Sequence, residues 1–435
     1  MTGNDKQLAA AHRLASHVST ILEARLWLRL WNGERIALGP ASESDPGLTI
    51  RSPAAITRLV RRPRFDTLVQ LLAEGEIEIE GGTLLDIAQR RGEMRTRGLW
   101  KKLDKRLLTS CLWPFLFGSA KAGTNQAYAG EIKTSVAQGR DDKALIHFHY
   151  DLSNEFYALF LDPAMVYTCA YFPRWDATLE EAQIAKLDMI CRKLRLQPGE
   201  EFLDIGCGWG GLICHAAQHY GVKAHGVTLA EEQFAFAQEK IKRLGLQDRV
   251  SIELKDYRHI ERWGEIDKIA SIGMFEAVGI DNHDTYFAQM HKLLRPRGLY
   301  LHHSIARPAK RNMKSFRKQR AEYAALTRYI FPGGELDTIG MSLNGLESHG
   351  FEVHDTEAWR EHYQRTTRLW TERLYANREQ AAALIGWPKT RLWLLYLAGC
   401  SLSFERSAVG IFQTVASKKT KGASGLPPTR AGLYE

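Results

Sequence analysis

The sequence lacks the cysteine pairs that indicate a zinc site or a disulfide framework. Its six cysteines are scattered, and none forms a Cys-x-x-Cys pair. It has no uninterrupted apolar run approaching the roughly 20 residues of a membrane-spanning helix. The first residues, "MTGNDKQLAAAHRLASH", lack the apolar core of a signal peptide. Together these absences predict a cytoplasmic protein without a structural metal.

Acidic residues are too few to balance the basic ones. Lys and Arg number 59 against 50 Asp and Glu, which gives a formal net charge of +9. An acidic partner is therefore expected, either nucleic acid or an anionic membrane, and charge alone does not separate these two classes. With 435 residues, of which 44% are hydrophobic, the chain is long enough for two domains and a sizeable core.

Residues 1–118 have the pattern of a small α+β domain. Two apolar-rich runs flank Asn32-Gly33, which is the strongest short signal for a β-hairpin. The alternating "EIEIE" at 76–80 predicts a surface strand, and "AAITRLVRR" and "DTLVQLLAEG" predict short helices around it. Residues 119–143 are rich in Gly, Ala, Ser, Thr and charge, and this composition predicts a linker.

The segment 98–118 closes this domain with the pattern of a basic amphipathic helix. Its apolar face and its basic side chains separate at helical spacing, with a Trp at the edge, as in helices that lie at a membrane interface. The alternative is a helix that docks on its own protein. The apolar face comprises Leu99, Trp100, Leu103 and Leu107, and the basic residues are Lys101, Lys102, Lys105 and Arg106.

Strand and helix patterns alternate through residues 144–417. Thr178 and Glu181 form a capping box that begins a helix. Strand patterns follow in "EFLDI", "KAHGVTL", "VSIELKDY", "IDKIASIG" and "GLYLHHSIA", with helical patterns between them. This alternation predicts an α/β domain whose parallel sheet is covered on both faces. The polar, basic residues 418–435 are predicted to be a disordered tail.

The stretch "LDIGCGWGG" (203–211) joins a strand to a helix through a glycine-rich turn. Such a turn lets the backbone approach a ligand at the helix N-terminus. NAD-binding turns require an acidic residue about 20 positions later, whereas the next strand here ends at Thr228. The spacing instead looks like the S-adenosylmethionine (SAM) turn of class I methyltransferases. The residues that form it are Asp204, Gly206, Gly208 and Gly210.

Several longer blocks resemble the cyclopropane-fatty-acid synthase family, in that family's order and spacing. They are "HFHYDLSNEFYALFLDPAMVYTCAYF" (147–172), "LDIGCGWGG", "GVTLAEEQ", "GMFEAVG" and "YIFPGG" (329–334). The resemblance covers about 147 to 415. It implies a Rossmann-like class I SAM-dependent methyltransferase domain that adds a methylene group across the cis double bond of a phospholipid acyl chain.

Carried over by position, the resemblance also implies a set of site residues. SAM would be bound by Tyr167, Thr168, Asp204, Gly206, Gly208, Gly210, Thr228, Gln233, Asp256 and Tyr257. The family also binds a bicarbonate ion, whose ligands would correspond to Cys169, Glu276, His303, Ile305 and Tyr363.

The residues themselves support part of that set. In "GLYLHHSIA" the side chains alternate, so His303 and Ile305 share one face of the strand while His302 points the other way, as a sheet or surface histidine. Glu276 follows another strand end, in apolar surroundings that are costly for a charge. We expect Glu276 to face the SAM and acyl-chain site and to orient the base, and Cys169 not to be a nucleophile.

Two positions depart from the family pattern. Ala277 stands where many bacterial members have His, which removes one polar group near the base. Ala230 stands where the family usually has Ser, and its helix should lose a cap that stabilises it by about 1 kcal/mol.

Three functions remain open from the sequence. The first is a lipid-modifying enzyme, peripherally bound at the inner leaflet of an anionic membrane, that forms a cyclopropane or a methyl-branched chain from an unsaturated phospholipid. The second is a SAM-dependent methyltransferase acting on a small amine. The third is a non-catalytic lipid-binding protein. Nucleic-acid binding would explain the charge but none of the motifs, and a homodimer is compatible with the sequence.

Overall fold

The computed structural model describes residues 3–90, 102–120, 152–318 and 320–434. The chain divides into two compact units, each assembled from three segments. The first unit comprises Met1–Ala129, Gln319–Tyr329 and Leu374–Gly399, and the second comprises Gly130–Lys318, Ile330–Arg373 and Cys400–Glu435. Most of the predicted linker 119–143 lies outside the described residues.

The first unit contains a small mixed sheet with helices around it. Its strands are β1 (Trp27–Arg29), β2 (Arg35–Ala37), β3 (Gly47–Ile50) and β4 (Ile77–Glu80), in the order β2-β1-β3-β4. Its first helices are α1 (Gly3–Leu22), α2 (Pro53–Arg61), α3 (Phe65–Glu74), α4 (Leu84–Arg90) and α5 (Lys105–Leu116). The hairpin predicted at Asn32-Gly33 is confirmed. Gly33 takes the left-handed conformation, with φ of 86°, and its N–H donates to the Leu30 carbonyl at 2.8 Å.

Helix α5 is shorter than the helix predicted over 98–118. It begins at Lys105 because the Asp104 side chain caps it, accepting from the Arg106 and Leu107 amides at 2.8 and 3.3 Å. Residues 98–101, with Leu99 and Trp100 of the predicted apolar face, lie outside the described residues. The continuous helix predicted through Asp104 is therefore wrong, since the cap starts a new helix there.

One face of α5 docks on its own unit and the other carries exposed aromatic side chains. Cys111 and Phe115 are buried in a cluster with Ala10 of α1. Trp113 and Phe117 point elsewhere and are 63% and 76% exposed, with their ring centroids 5.5 Å apart. Docking of α5 on its own unit therefore explains the buried Cys111 and Phe115, but it does not explain the exposed Trp113 and Phe117.

The second unit is built on a seven-stranded sheet of order β10-β11-β9-β8-β5-β6-β7. Its strands are β5 (Glu201–Ile205), β6 (Lys223–Thr228), β7 (Val250–Leu254), β8 (Ile266–Ile272), β9 (Leu294–Ala306), β10 (Phe351–Ala358) and β11 (Gly410–Lys418). Only β11 runs antiparallel to its neighbours. The five strands predicted by the sequence are β5 to β9, so the mostly parallel α/β fold is confirmed.

Helices cover both faces of this sheet. The remaining helices of the chain are α6 (Asn154–Ala158), α7 (Leu179–Leu194), α8 (Gly211–Tyr220), α9 (Glu231–Arg243), α10 (His283–Leu293), α11 (Met313–Arg317), α12 (Ala321–Tyr329), α13 (Ile339–Ser348), α14 (Arg360–Ala376), α15 (Arg378–Ile385) and α16 (Trp387–Glu405). Of these, α12, α15 and most of α16 belong to the first unit. One core cluster joins α7 and α8 to the sheet and the other joins α10. The capping box at Thr178 and Glu181 is present, whereas the helix after Ala230 has no side-chain cap, as predicted. None of the helices in the described ranges combines the length and hydropathy needed to span a bilayer.

Two late segments, assigned by the sequence analysis to the second domain, pack within the first unit. The hydroxyl of Tyr329, at the end of α12, donates to Asp66 at 2.6 Å and accepts from Gln70 at 3.0 Å. On α16, Arg391 forms an ion pair with Glu78 at 2.9 Å. Such pairings between distant parts of the chain leave no local pattern in the sequence.

The basic tail predicted to be disordered is anchored over its described residues. Leu433 is buried in a cluster with Trp359 and Phe404, and its carbonyl accepts from Arg192 at 3.4 Å. Arg430 forms an ion pair with Asp355 at 2.5 Å. One apolar side chain and two polar contacts thus hold a segment whose composition predicts disorder.

Candidate functional site

A deep cavity opens at the carboxyl ends of β5, β6 and β8 in the second unit. It encloses about 1170 Å³, including its solvent-open mouth. Open α/β sheets bind their ligands at this edge. Of the residues predicted to bind SAM, those in its wall are Tyr167, Thr168, Asp204, Gly206, Gly208, Thr228, Gln233, Asp256 and Tyr257.

The glycine-rich turn forms the floor of the cavity. Gly206 has a φ of 78°, and a Cβ on it would lie 2.8 Å from the Met274 side chain, so only glycine fits. Gly208 also has a positive φ, of 54°. Gly210 differs from the prediction because it does not reach the cavity wall. It is the residue before α8, where a Cβ would press on Ala237 at 3.2 Å, so its role is close packing.

The wall at the end of β6 is set by Thr228 and Gln233. The Thr228 hydroxyl donates to Gln233 Oε1 at 3.0 Å and accepts from the Ala230 amide at 3.2 Å. Both side chains are buried. The Gln233 amide is therefore held in one orientation at the cavity wall, which suits a residue that recognises polar groups of a ligand.

The adjoining wall, after β7, carries Asp256 and Tyr257. The Asp256 carboxylate accepts from the Arg258 amide at 2.8 Å and from its Nε at 2.9 Å. Although burial acts to raise it, the pKa of Asp256 is held below its usual value by these Arg258 contacts. The Tyr257 ring packs edge-on against Tyr286 at 5.2 Å, which fixes one flat face of the cavity.

Tyr167 and Thr168 close the cavity from the segment before α7. The Tyr167 ring lies 5.1 Å from that of Trp370. The Thr168 hydroxyl accepts from Lys186 Nζ at 2.8 Å. Lys186 also lines the cavity, and the sequence analysis did not single it out. The available signal was its spacing, since Ala182, Lys186 and Ile190 fall on the buried face of α7.

Glu276 is bonded to the backbone of β9 at Ile305, two residues after His303. Glu276 lies in the turn after β8, and its Oε1 accepts from the Ile305 amide at 2.6 Å. Its other oxygen has no partner among the described residues. Burial is the main cause that raises the pKa of Glu276 to about 7, with a smaller contribution from Asp337. At neutral pH the Glu276 carboxyl is therefore present in both its protonated and its ionised form.

His303 is neutral and its tautomer is fixed by its neighbours. Lys193 donates to Gln413 Oε1 at 2.8 Å, so the Gln413 amide nitrogen donates to His303 Nδ1, at 3.0 Å. The hydrogen is thus on Nε2, which has no partner among the described residues. Burial, with Lys186 and Lys193 nearby, holds the pKa of His303 well below its usual value.

Cys169 and Tyr363 belong to the same apolar surroundings. They pack with Ile305 in a cluster around Trp359 and Phe404, and the His303 ring lies 5.4 Å from that of Trp359. Burial raises the pKa of the Cys169 thiol well above its usual value, so the thiol stays protonated. A buried, protonated thiol is a poor nucleophile, which fits the expectation that Cys169 is not one.

None of the five predicted bicarbonate ligands reaches the cavity wall. The neighbours Met274, Ala277 and Val278 do, while Glu276 turns inward to Ile305. The expectation that Glu276 faces the SAM and acyl-chain site stays a prediction, and the second oxygen of Glu276 has no partner among the described residues. The short turn Phe275–Ala277 rotates successive side chains apart, so Ala277 contributes to the wall and Glu276 lies behind it.

His302 is buried rather than on the surface. It points away from His303, as the strand alternation predicts, into a polar network on the other side of the sheet. Its Nδ1 is 3.0 Å from the Tyr300 hydroxyl, and its Nε2 is 3.1 Å from the Ser304 hydroxyl. The network satisfies a buried imidazole whose pKa burial lowers to about 3.

The comparisons with known proteins agree with this geometry. Residues 137–414 match the family described as mycolic acid cyclopropane synthetase. A probable fatty acid methyltransferase of Pseudomonas putida is 35% identical over 95% of this chain and 97% of its own length. The cyclopropane-fatty-acyl-phospholipid synthase of Escherichia coli is 38% identical over 62% of this chain and 66% of its own.

Among solved structures, the mycolic acid cyclopropane synthase CmaA1, complexed with SAH and CTAB, superposes with a TM-score of 0.59 at 35% identity. The match covers 63% of this chain and 98% of that one. The glycine turn, the cavity at the strand ends and these matches lead to one assignment. The chain belongs to the cyclopropane synthase family of SAM-dependent methyltransferases.

Proposed function

We propose that the protein transfers a methylene group from SAM to the cis double bond of an unsaturated phospholipid acyl chain and forms a cyclopropane ring. The observation that carries this proposal is the burial of Glu276 and His303, since Glu276 is bonded to Ile305, two residues after His303 on β9. Glu276 Oε2 and His303 Nε2 have no partner among the described residues. Both residues lie near the cavity whose wall contains the residues predicted to bind SAM. Ring closure requires a proton to be removed from the added methyl group in dry surroundings, and this pair could hold the base that removes it.

The reaction sets the demands on the site. The alkene π electrons attack the sulfonium methyl, the sulfur–carbon bond breaks, and a positive charge develops on the adjacent acyl carbon. A proton then leaves the new methyl group, and its C–H electrons close the ring. Water would trap the cation, so the site must exclude it. The apolar cluster around Trp359 and Phe404 supports such exclusion next to His303.

The buried pair fits the bicarbonate ion that the family resemblance implies. Glu276 Oε2 could accept a hydrogen bond from the ion, and His303 Nε2–H could donate one to it. When bound, bicarbonate would supply a small base beside the donor methyl. The Ile305 amide is already bonded to Glu276, so its part in this structure is to position that carboxyl.

Exposed surfaces on each unit support binding of the protein to an anionic membrane. On the first unit, Trp113 of α5 and Phe117, the residue after α5, are exposed, and the first turn of α5 carries the exposed Lys105 and Arg106. Aromatic side chains flanked by cations suit the interface of an anionic bilayer. On the second unit, the basic segment 310–318 is exposed apart from Phe316 and suits lipid phosphates.

The proposal is tested by incubating the full-length protein with methyl-labelled SAM and vesicles of unsaturated phospholipid. Vesicles of the saturated lipid and a set of small amines serve as the alternatives. Label extracted with the unsaturated lipid alone supports the proposal. Label in the amines, or none in any lipid, contradicts it.

A methyl-branched product is the second candidate, and the Pseudomonas putida relative favours it because it is a probable fatty acid methyltransferase. If the proton left a neighbouring chain carbon, a methyl-substituted alkene would form instead of a ring. That alkene has the same mass as the cyclopropane but takes up hydrogen on mild reduction. Proton NMR of the purified lipid separates them, because only the ring gives high-field methylene signals.

A further inference from the structure

Lys186 is a buried cation in the cavity wall that the proposed chemistry has not used. Its side chain is buried, and Nζ donates to the Thr168 hydroxyl at 2.8 Å. Among the described residues no carboxylate forms an ion pair with it. A buried ammonium held by one neutral acceptor is costly. A bound ligand that brings a negative charge would offset this cost.

The nearby carboxylates do not fill that role. Asp162 is directed to the Ala164 and Val166 amides, from which it accepts at 2.9 and 3.0 Å, and it forms no ion pair with Lys186. Asp204 is buried in the same cavity wall, and its Oδ1 has no partner among the described residues. Burial lowers the pKa of Lys186 to about 8 despite both acids and raises that of Asp204 to about 7.

A buried cation with a neutral acceptor and a carboxyl with one unpartnered oxygen, both in one wall, are complementary to a zwitterion. The negative charge of a phosphate ligand would repel the Asp204 carboxylate and leave it without a partner. The positive charge of a purely cationic ligand would repel the Lys186 ammonium in the same way. An α-amino-acid group carries a carboxylate and an ammonium on one carbon. SAM has such a group at its methionyl end.

We propose that Lys186 receives the α-carboxylate of SAM and orients the amino-acid end of the donor, with Asp204 facing the α-ammonium group. This inference rests on the SAM-dependent activity and deepens it. Through its bond to Thr168, the same lysine also fixes the wall next to Cys169. Lys186 is then a binding and positioning residue, not a group that reacts.

Binding of two ligands to the full-length chain tests the role of Lys186. S-adenosylhomocysteine carries the amino-acid end, and methylthioadenosine lacks it. Lys186→Met should weaken S-adenosylhomocysteine about 10- to 100-fold by calorimetry, as expected for one charged hydrogen bond, and leave methylthioadenosine within about twofold. Lys240→Met is the matched control, because Lys240 is also buried but donates to the Ala164 carbonyl outside the cavity wall, at 3.0 Å. It should change neither affinity.

Equal losses for the two ligands would overturn the inference, since they would show a general distortion of the cavity. Unchanged affinity for S-adenosylhomocysteine would overturn it as well. If the methionine variant does not fold, decarboxylated SAM tests the wild-type chain, where equal affinity for SAM and this analogue would contradict the proposal. Normal binding through Lys186 without transfer to lipid would refute the proposed function and leave this inference standing.

Discussion

Replacing Glu276 by Gln should make the protein more stable at neutral and alkaline pH while it lowers turnover. The carboxyl is buried, and its pKa rises from 4.5 to about 7 on folding. A raised pKa means that the folded state favours the protonated form. Stability is therefore unaffected below the unfolded value of 4.5, falls as pH rises through the interval, and stays reduced above about 7.

The magnitude follows from the shift. About 2.5 pKa units correspond to roughly 3 kcal/mol of unfavourable ionisation in the wild type above the folded-state pKa. Glutamine is neutral and keeps an oxygen that can accept from the Ile305 amide. Glu276→Gln should recover up to this amount at alkaline pH and nothing near pH 4.5.

Urea unfolding of both proteins across this pH range measures the difference. Glu239→Gln, which changes an exposed carboxylate in the same unit, is the control and should follow the wild type throughout. Parallel pH curves for Glu276→Gln and the wild type would refute burial as the cause. Unchanged lipid-modifying turnover in Glu276→Gln would refute its part in holding the base.

Three further predictions concern the turn, the surface and a cap. Gly206→Ala should abolish SAM binding, measured by calorimetry, because the new Cβ would meet the Met274 side chain. Gly199 has a similar φ of 84° but open space around it, so Gly199→Ala should keep SAM binding. Equal losses of binding in the two variants would show that backbone strain alone is the cause. Replacing both Trp113 and Phe117 by Ser should weaken binding to anionic vesicles about tenfold or more in sedimentation, with turnover on detergent-solubilised lipid unchanged; unaltered vesicle binding would contradict a membrane role. Ala230→Ser should raise the unfolding free energy by about 1 kcal/mol, and a loss would show that the buried hydroxyl finds no amide partner.

The strands β5 to β9 and the helices between them could be predicted because each is indicated by a short stretch of neighbouring residues. Strands β5 to β9 are short apolar runs with helical periods between them, and the turn at Gly206 needs glycine for its backbone conformation. The cavity position follows from the carboxyl ends of those strands. These features depend on neighbouring residues, which a sequence displays directly.

The sequence did not predict which segments of the chain make up the first unit. Tyr329 pairs with Asp66, and Arg391 with Glu78, over separations that leave no periodic trace. The anchoring of the tail by Leu433 depends likewise on a partner cluster formed elsewhere in the chain.

The site itself was predicted in part. The family blocks pointed to Glu276 and His303, but not to the rotation of Glu276 away from the cavity and towards Ile305. Lys186 carried a local signal, a cation on the apolar face of a helix, that became meaningful only beside Asp204. Side-chain direction at the end of a strand depends on one or two turn residues, which sequence patterns do not resolve.

The most direct test of the central claim is the structure of the lipid product. Phospholipids from cells that express the wild type, Glu276→Gln or neither should be compared by mass spectrometry and proton NMR. The wild type should add the mass of one CH₂ to unsaturated chains, with high-field ring signals and a matching loss of olefinic signals, and Glu276→Gln should show little of either. The added mass with olefinic signals retained, or no added mass at all, would contradict cyclopropane formation.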